Sequence, residues 1–340
     1  MKKTNMMLLM VMLTLAIIVA GCGNQAGTTN GASGTSPAAS TDTAAGGATD
    51  AAKPKFAIIL KTLSNPFWVS MKEGIEAEAK AQGYDVDIFA ANDEADLQGQ
   101  AKIFEDALDK GYAGIAFAPL SPVAMIPSIV KANEKGIYVV NIDEQVDMTE
   151  LKSAGGYVFS FVTTDNVKVG EKGGQAIIDK LGAEGGKVAI IEGKAGNASG
   201  ENRKQGATNA FKAAANIEIV DSQPADWDRT KALDVAANIL QKNPDLKAFY
   251  AANDTMALGA LQAVSNAGKQ GQVIVVGTDG APEALDSINA GELYATVAQD
   301  PAQVGISSLN KLVQLAKDKA TGSADMEPEF VSVESKLVTK

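Results

Sequence analysis

Acidic, amide and cationic side chains recur in this sequence directly after short apolar segments. Asp143 and Asp279 each close such a segment, in Ile137-Tyr-Val-Val-Asn-Ile-Asp143 and Val273-Ile-Val-Val-Gly-Thr-Asp279. In open α/β sheets, ligands bind beyond the carboxyl ends of the strands. The matching positions of the two aspartates therefore predict that both face one binding cleft. In the alternative interpretation, each aspartate only caps the helix that follows it.

The remaining candidate binding residues include amides, cations and aromatic rings, a mixture that suits a neutral polyol. Carboxylates, amides and a guanidinium bond hydroxyl groups, and aromatic rings cover the apolar C–H faces of a sugar ring. Lys61 and Arg203 also fit solvated surface charges, and Asn65 before Pro66 also fits a helix N-cap. The full set of candidates is Lys61, Asn65, Phe67, Trp68, Asp143, Glu144, Asn197, Arg203, Trp227, Asn253, Asp279 and Gln299.

Enzyme chemistry has little support in the sequence. There is no histidine, so the commonest general base is absent, and Cys22 is the only cysteine. No nucleophile elbow, phosphate-binding P-loop or dinucleotide fingerprint occurs. The acidic clusters Asp85-Val-Asp87 and Asn92-Asp-Glu-Ala-Asp96 do not complete a calcium loop, and surface solvation is the preferred interpretation of both. We expect no catalytic residue, no cofactor and no metal.

Apolar, β-branched segments alternate with amphipathic stretches along the folded part of the chain. This rhythm predicts doubly wound parallel sheets, and two sheets of five or six strands fit better than one very large sheet. Glycines follow many of the amphipathic stretches, as expected at helix C-termini. The predicted strands are Phe56–Leu60, Val86–Ala90, Gly114–Pro119, Ile137–Ile142, Tyr157–Thr164, Lys187–Gly193, Ile217–Gln223, Ala248–Asn253, Val273–Asp279 and Ala295–Gln299.

The sequence of the first 52 residues indicates export and membrane anchoring. Lys2 and Lys3 precede a fifteen-residue apolar segment, Met6–Ala20, which is right for a signal-peptide core and short for a membrane span. The sequence Val19-Ala20-Gly21-Cys22 resembles the bacterial lipobox. We expect residues 1–21 to be a lipoprotein signal peptide, Cys22 to be lipidated, and residues 22–52 to be a disordered tether. A chance cysteine after an ordinary signal peptide is the alternative.

The charge balance disfavours anionic partners. The net charge is −11, and removal of residues 1–21, which contain two lysines and no acidic residue, changes it to −13. This acidity disfavours nucleic acid and anionic membrane surfaces as partners. A DNA-binding regulator is also disfavoured, because the N-terminus carries a signal peptide and a tether instead of a helix-turn-helix.

Six motifs are spread over nearly all of residues 55–340. They are Lys61-Thr-Leu-Ser-Asn-Pro-Phe-Trp68, Phe117-Ala-Pro-Leu120, Glu192-Gly-Lys-Ala-Gly-Asn-Ala-Ser-Gly-Glu201, Gln223-Pro-Ala-Asp-Trp-Asp-Arg229, Ala252-Asn-Asp-Thr-Met256 and Val276-Gly-Thr-Asp-Gly280. Together these motifs resemble the ribose/galactose-type (type I) periplasmic sugar-binding proteins of ABC transporters. The resemblance implies two doubly wound α/β lobes, a monosaccharide ligand, a membrane permease as partner and a monomeric protein.

The resemblance assigns each of the twelve candidates to the sugar site. Glu144 stands where ribose binders carry arginine, and this difference favours a hexose such as D-allose. Ribose or another pentose, or a sugar-sensing role for a chemoreceptor, stays open as the alternative.

The resemblance also implies three hinge crossings between the lobes. They are expected at Thr164 and Asp165, at Gln299 and Asp300, and near Glu327–Glu329. The N-terminal lobe would then be residues 53–164 plus 300–326, and the C-terminal lobe residues 165–299 plus 327–340.

Overall fold

The computed structural model describes residues 53–340 of the chain, so the predicted signal peptide, Cys22 and the tether lie outside the described residues. Within residues 53–340, no helix is long and apolar enough to span a bilayer.

A short 3₁₀ turn, Gly182–Glu184, follows the fifth helix. In chain order the elements are β1 (Lys55–Leu60), α1 (Pro66–Gln82), β2 (Asp85–Ala90), α2 (Leu97–Ala107), β3 (Gly114–Phe117), α3 (Ile126–Glu134), β4 (Tyr138–Ile142), α4 (Met148–Ser153), β5 (Ser160–Thr164), α5 (Asn166–Leu181), β6 (Gly186–Glu192), α6 (Ala198–Ala213), β7 (Ile217–Pro224), α7 (Arg229–Lys242), β8 (Ala248–Ala251), α8 (Asp254–Asn266), β9 (Ile274–Asp279), α9 (Pro282–Ala290), β10 (Ala295–Ala298), α10 (Pro301–Asp318), β11 (Glu329–Val333) and β12 (Lys336–Thr339).

The strands form two six-stranded sheets with the same strand order. The first sheet runs β2-β1-β3-β4-β5-β11 and the second runs β7-β6-β8-β9-β10-β12. All neighbouring strands are parallel except β12, which pairs antiparallel with β10. The predicted α/β fold of two doubly wound sheets is confirmed, and all ten predicted strands are present. We call the two units built on these sheets the first and second lobes.

Apolar strands covered on both faces by helices form the core of each lobe. In β1, Phe56 to Leu60 are all buried, and β3 and β8 are buried along their whole length. Such continuous apolar runs are typical of parallel strands with helices on both faces. The strands β11 and β12 are different, because each lies at a sheet edge and is mostly exposed. Their weak apolar pattern explains why the sequence did not predict them.

The chain passes between the lobes three times. The first crossing follows Thr164 and enters α5, and the second follows β10 at Gln299 and Asp300 and enters α10, which packs on the first sheet. The third crossing was expected near Glu327–Glu329, and this prediction was wrong. Strand β11 pairs with β5 in the first sheet, so the chain crosses only between Val333 and Lys336. Residues 329–333 therefore lie in the first lobe, whereas the sequence analysis placed them in the second.

The helices α5 and α6 of the second lobe approach each other through glycines. A Cβ atom on Gly206 would lie 2.0 Å from the carbonyl oxygen of Val167, and one on Gly170 would lie 2.0 Å from that of Arg203. Both obstacles are backbone atoms, which cannot move aside without separating the helices. The two glycines therefore fix the distance between α5 and α6, and with it the position of Arg203.

We predict that Gly206→Ala destabilises the protein, although alanine is the better helix former. The added methyl group forces the two helices apart, and overpacking of this kind costs about 1–3 kcal/mol. Urea unfolding followed by tryptophan fluorescence measures the loss. The control is Gln205→Ala at the exposed neighbouring position, which should change the free energy of unfolding by less than about 0.5 kcal/mol. Equal stability of Gly206→Ala and wild type would contradict the tight helix contact.

Candidate functional site

A cavity lies between the lobes at the carboxyl ends of both sheets. The space between the lining atoms is about 320 Å³, part of it open to solvent. The first lobe contributes the β1–α1 and β2–α2 loops and the end of β4. The second lobe contributes the start of α6, the β7–α7 loop and the ends of β8 and β9. The lining residues are Lys61, Asn65, Phe67, Trp68, Glu94, Asp143, Ser199, Arg203, Trp227, Asn253 and Asp279.

Nine of the twelve residues that the sequence analysis selected line this cavity. The other three lie behind the lining and contact residues that belong to it. Glu144 bonds Lys61, Asn197 accepts a hydrogen bond from Trp227, and Gln299 donates one to Asp279.

Two lining residues, Glu94 and Ser199, were not selected from the sequence. Glu94 belongs to the acidic cluster 92–96, which was interpreted as solvated surface, and for Glu94 that interpretation was wrong. Its Oε2 atom is buried in the structure. Lys194 of the second lobe donates to the Glu94 carbonyl oxygen at 2.5 Å, which holds the β2–α2 loop over the cavity. The position of Glu94 just after β2 was the signal that could have identified it. Ser199 lies in the motif Glu192–Glu201.

Aromatic rings form two walls of the cavity. Phe67 and Trp68 are both buried in the first turn of α1, with ring centroids 5.0 Å apart in an edge-to-face arrangement. Trp227 stands on the second-lobe side with a backbone φ of 65°, a conformation that non-glycine residues rarely adopt. A Cβ on Gly193 would lie 2.1 Å from the Trp227 ring, so this glycine makes room for the indole.

A hydrogen-bonded network fixes Arg203 and Asp279 in the second lobe. Arg203 is 4% exposed, and its Nη1 donates to the Ala252 carbonyl oxygen at 2.7 Å and to Asp279 Oδ1 at 3.1 Å. Its Nε donates to Asn166 Oδ1 at 2.8 Å. Gln299 Nε2 also donates to Asp279 Oδ1, at 2.7 Å. These partners compensate the cost of burying the two charges, which would otherwise be large.

Behind Asp279, the buried side chain of Asp254 holds the turn that follows β9. Its Oδ2 accepts a hydrogen bond from the Ala281 backbone N–H, and its Oδ1 accepts one from the Thr296 hydroxyl, both at 2.7 Å. Burial and the nearby Asp279 carboxylate raise the pKa of Asp254 to about 8. The turn carries strain, because Asp279 has a φ of 119°.

Asp143 occupies the corresponding place in the first lobe. Its φ is 57°, and its backbone N–H donates to the Val162 carbonyl oxygen at 2.7 Å. The helices that follow the two aspartates begin at other N-caps, Asp147 and Ala281, so the helix-cap interpretation of Asp143 and Asp279 is wrong. Burial raises the pKa of Asp143 to about 6, although the cations Lys61 and Arg203 act in the opposite direction.

Two buried carboxylate oxygens of the cavity lining have no hydrogen-bond partner among the described residues. They are Oδ1 of Asp143 and Oε2 of Glu94. Buried polar atoms of native proteins are almost always hydrogen-bonded. Together with the aromatic walls, these two acceptors suit a compact ligand that carries hydroxyl donors and apolar ring faces. Within residues 53–340, no group of three or more acidic, histidine or cysteine side chains could hold a metal ion.

Comparisons with known proteins identify related sequences and structures. Residues 56–320 match the periplasmic binding protein domain. The chain is 61% identical over 289 residues to the D-allose-binding periplasmic protein of Escherichia coli, covering 85% of this chain and 93% of that protein. It is 41% identical over 255 residues to the ribose import binding protein of Bacillus subtilis, covering 74% and 79%. A solute-binding protein of Actinobacillus succinogenes, solved with bound D-allose, superimposes with a TM-score of 0.79 at 33% identity, covering 84% of this chain and 98% of that one.

We predict that Asp143→Asn stabilises the ligand-free protein at high pH. Because the folded protein raises the pKa of Asp143 from 3.8 to about 6, the unfolded chain loses this proton at lower pH than the folded protein, and the stability of the folded state falls as the pH rises from about 4 to about 6. The cost is about 2–3 kcal/mol above pH 7 and disappears below about pH 4. The variant should therefore be more stable than wild type at pH 8, and the difference should shrink between pH 6 and pH 4.

Urea titrations at pH 8, 6 and 4.5 measure this difference. The control is Asp318→Asn at an exposed position, whose difference from wild type should stay below about 0.5 kcal/mol. A difference between Asp143→Asn and wild type that does not change with pH would contradict the raised pKa.

Proposed function

The chain belongs to the periplasmic binding protein family, and from that premise we propose that it captures D-allose or a related hexose for an ABC importer. It is a binding protein rather than an enzyme. The observation that carries the sugar assignment is the pair of unpaired acceptors, Asp143 Oδ1 and Glu94 Oε2, between the rings of Phe67, Trp68 and Trp227. Sugar hydroxyls donate to the carboxylates, and the apolar faces of the pyranose ring lie against the aromatic rings.

Two observations favour a hexose over a pentose. The identity of 61% to the D-allose-binding protein of Escherichia coli exceeds the 41% to the ribose import binding protein of Bacillus subtilis. Within this chain, Glu144 stands where the resemblance places arginine in ribose binders, and it forms a buried ion pair with Lys61. Ribose or another pentose is the alternative ligand.

The lobes act as the two halves of a clamp in this proposal. The chain crosses between the lobes after Thr164, at Gln299 and Asp300, and between Val333 and Lys336, so these segments are the hinges. A sugar that bonds residues of both lobes stabilises the closed arrangement more than the open one. Ligand binding thereby changes the population of the state that docks on the permease.

Cys22 is the proposed point of attachment to the membrane. The support is the lipobox-like sequence Val19-Ala20-Gly21-Cys22 after an apolar segment. Lipidation would hold an extracytoplasmic carrier beside the permease through the segment 22–52. The proposed protein is a monomer, and a sugar-sensing role at a chemoreceptor is an alternative that uses the same closed form.

We predict that the mature domain, residues 53–340, binds one D-allose per chain and prefers it to ribose, galactose, glucose, xylose and myo-inositol. Isothermal titration calorimetry with each compound measures the preference. Tighter binding of ribose than of D-allose would replace the hexose proposal by the pentose alternative. Absence of heat with every aldose would contradict the sugar assignment itself.

The control for this titration is Asp279→Ala, which removes the partner that Arg203 and Gln299 share. It should weaken D-allose binding by about tenfold to hundredfold or more, because Asp279 lines the cavity and each hydrogen bond lost between its carboxylate and the sugar costs about 1–3 kcal/mol. Circular dichroism should show an unchanged fold.

We also predict that Cys22→Ser converts the full-length protein from a membrane-bound to a released form. Serine cannot carry the thioether-linked lipid, so the exported chain loses its lipid anchor. Metabolic labelling with an alkyne fatty acid and fractionation of the cells should show label and membrane association in wild type only. A labelled, membrane-bound Cys22→Ser protein would contradict the anchor at this residue.

A further inference from the structure

Glu144 stands next to the cavity, and both of its carboxylate oxygens accept hydrogen bonds from protein groups. It follows β4 in the first lobe and is 1% exposed. Its Oε2 accepts hydrogen bonds from Lys61 Nζ at 3.1 Å and from Ser199 Oγ at 2.8 Å, and its Oε1 accepts one from the Ser199 backbone N–H at 3.3 Å. Lys61 belongs to the first lobe and Ser199 to the second. Glu144 is therefore bonded across the cleft, and it does not line the cavity.

The helix α6 lacks a cap from its own N-cap residue. Asn197 occupies that position but makes no side-chain bond to the first turn. Its Oδ1 atom accepts the Trp227 indole N–H at 3.1 Å instead. The first turn of a helix leaves backbone N–H groups without partners, and its positive dipole end favours a negative charge. The carboxylate of Glu144 supplies the missing acceptor from the opposite lobe, and its negative charge adds to that of Glu201 in the first turn of α6.

We propose that Glu144 is an interlobe cap of α6, which couples the position of the cavity cation Lys61 to closure of the lobes. This proposal rests on the proposed sugar-binding function and assigns Glu144 a positioning role in place of direct contact with the ligand. When the lobes separate, Ser199 leaves, α6 loses its cap, and the buried pair of Lys61 and Glu144 loses two of its hydrogen bonds. Closure restores these bonds and fixes the Lys61 ammonium group beside Trp68, 5.7 Å from the ring centroid.

A cap of this kind stabilises the closed state, so it affects dissociation of the sugar more than association. The sugar first meets the open form, in which Ser199 and Glu144 are apart. Because removal of the contact increases the population of the open form, the rate constant of association should not fall, and the rate constant of dissociation should rise. If Glu144 bonded the sugar directly, the effect of its mutation on the rate constant of dissociation would not depend on Ser199.

The test is a double-mutant cycle with Ser199→Ala and Glu144→Gln, measured by stopped-flow tryptophan fluorescence with D-allose. Each single variant should raise the dissociation rate constant by about tenfold, as expected for loss of a hydrogen bond to a charged group. Because both act through one contact, Ser199→Ala should add less than about twofold in the Glu144→Gln background. Ser199→Thr keeps the hydroxyl donor and should restore the wild-type rate.

Glu201→Gln is the matched control. Glu201 lies on α6 too, but it bonds the Gly196 N–H and Lys204 within the second lobe. This variant should leave both rate constants within about twofold of wild type. Equal effects of Ser199→Ala in the wild-type and Glu144→Gln backgrounds would overturn the interlobe cap, and so would a change confined to association.

Small-angle X-ray scattering of the ligand-free proteins tests the interlobe cap independently of the sugar assignment. Wild type should be more compact than Ser199→Ala and Glu144→Gln, because only wild type keeps the complete contact between the lobes. Identical scattering of the three proteins would overturn the cap. A wild-type protein that binds no aldose would refute the proposed function, whereas the scattering comparison would still decide the role of Glu144.

Discussion

The interlobe cavity removes several charges from water, and the need to compensate them determines much of the structure around it. Arg203 is bonded by Asn166, Ala252 and Asp279, and Lys61 is paired with Glu144. A buried charge without partners is costly, whereas a fully bonded network is rigid. The polar groups that surround the cavity therefore hold fixed orientations. Such preorganisation reduces the cost of ordering side chains when a ligand binds.

The repeated strand order explains how residues far apart in the sequence reach this network. Both sheets have the same topology, so β4 of the first lobe and β9 of the second end in equivalent places. Asp143 and Asp279 follow these strands and face the same cavity from opposite sides. The backbone at both positions has positive φ values, 57° and 119°. Strain of this kind persists where surrounding contacts fix the conformation, and it is typical of binding sites.

The cavity also shows a conflict between stability and binding. Burial raises the pKa of Asp143, so its ionised form destabilises the ligand-free protein. A hydroxyl that donates to the carboxylate would favour the ionised form and compensate for the lost hydration. The same group that lowers the stability of the free protein can therefore contribute to affinity, as is common in functional sites.

Much of the fold and most of the lining could be predicted from the sequence, because strand patterns and the residues that follow them are local features. All ten predicted strands are present, and Asn65, Trp227 and Asp279 line the cavity as expected. The edge strands β11 and β12 were missed, since exposed edges carry little apolar pattern, and the third crossing was therefore misplaced.

The tertiary structure alone decided which polar residues touch the cavity and which support it. Glu94 was predicted to be solvated surface, but in the structure Lys194 of the second lobe bonds the loop that carries it. Glu144 was predicted as a sugar contact, and in the structure its oxygens accept hydrogen bonds from Ser199 of the opposite lobe. In both cases the deciding partner lies in the other lobe, about a hundred residues away for Glu94 and 55 for Glu144. Local sequence patterns indicate which strand a residue follows. They do not indicate which residues of the opposite lobe contact it.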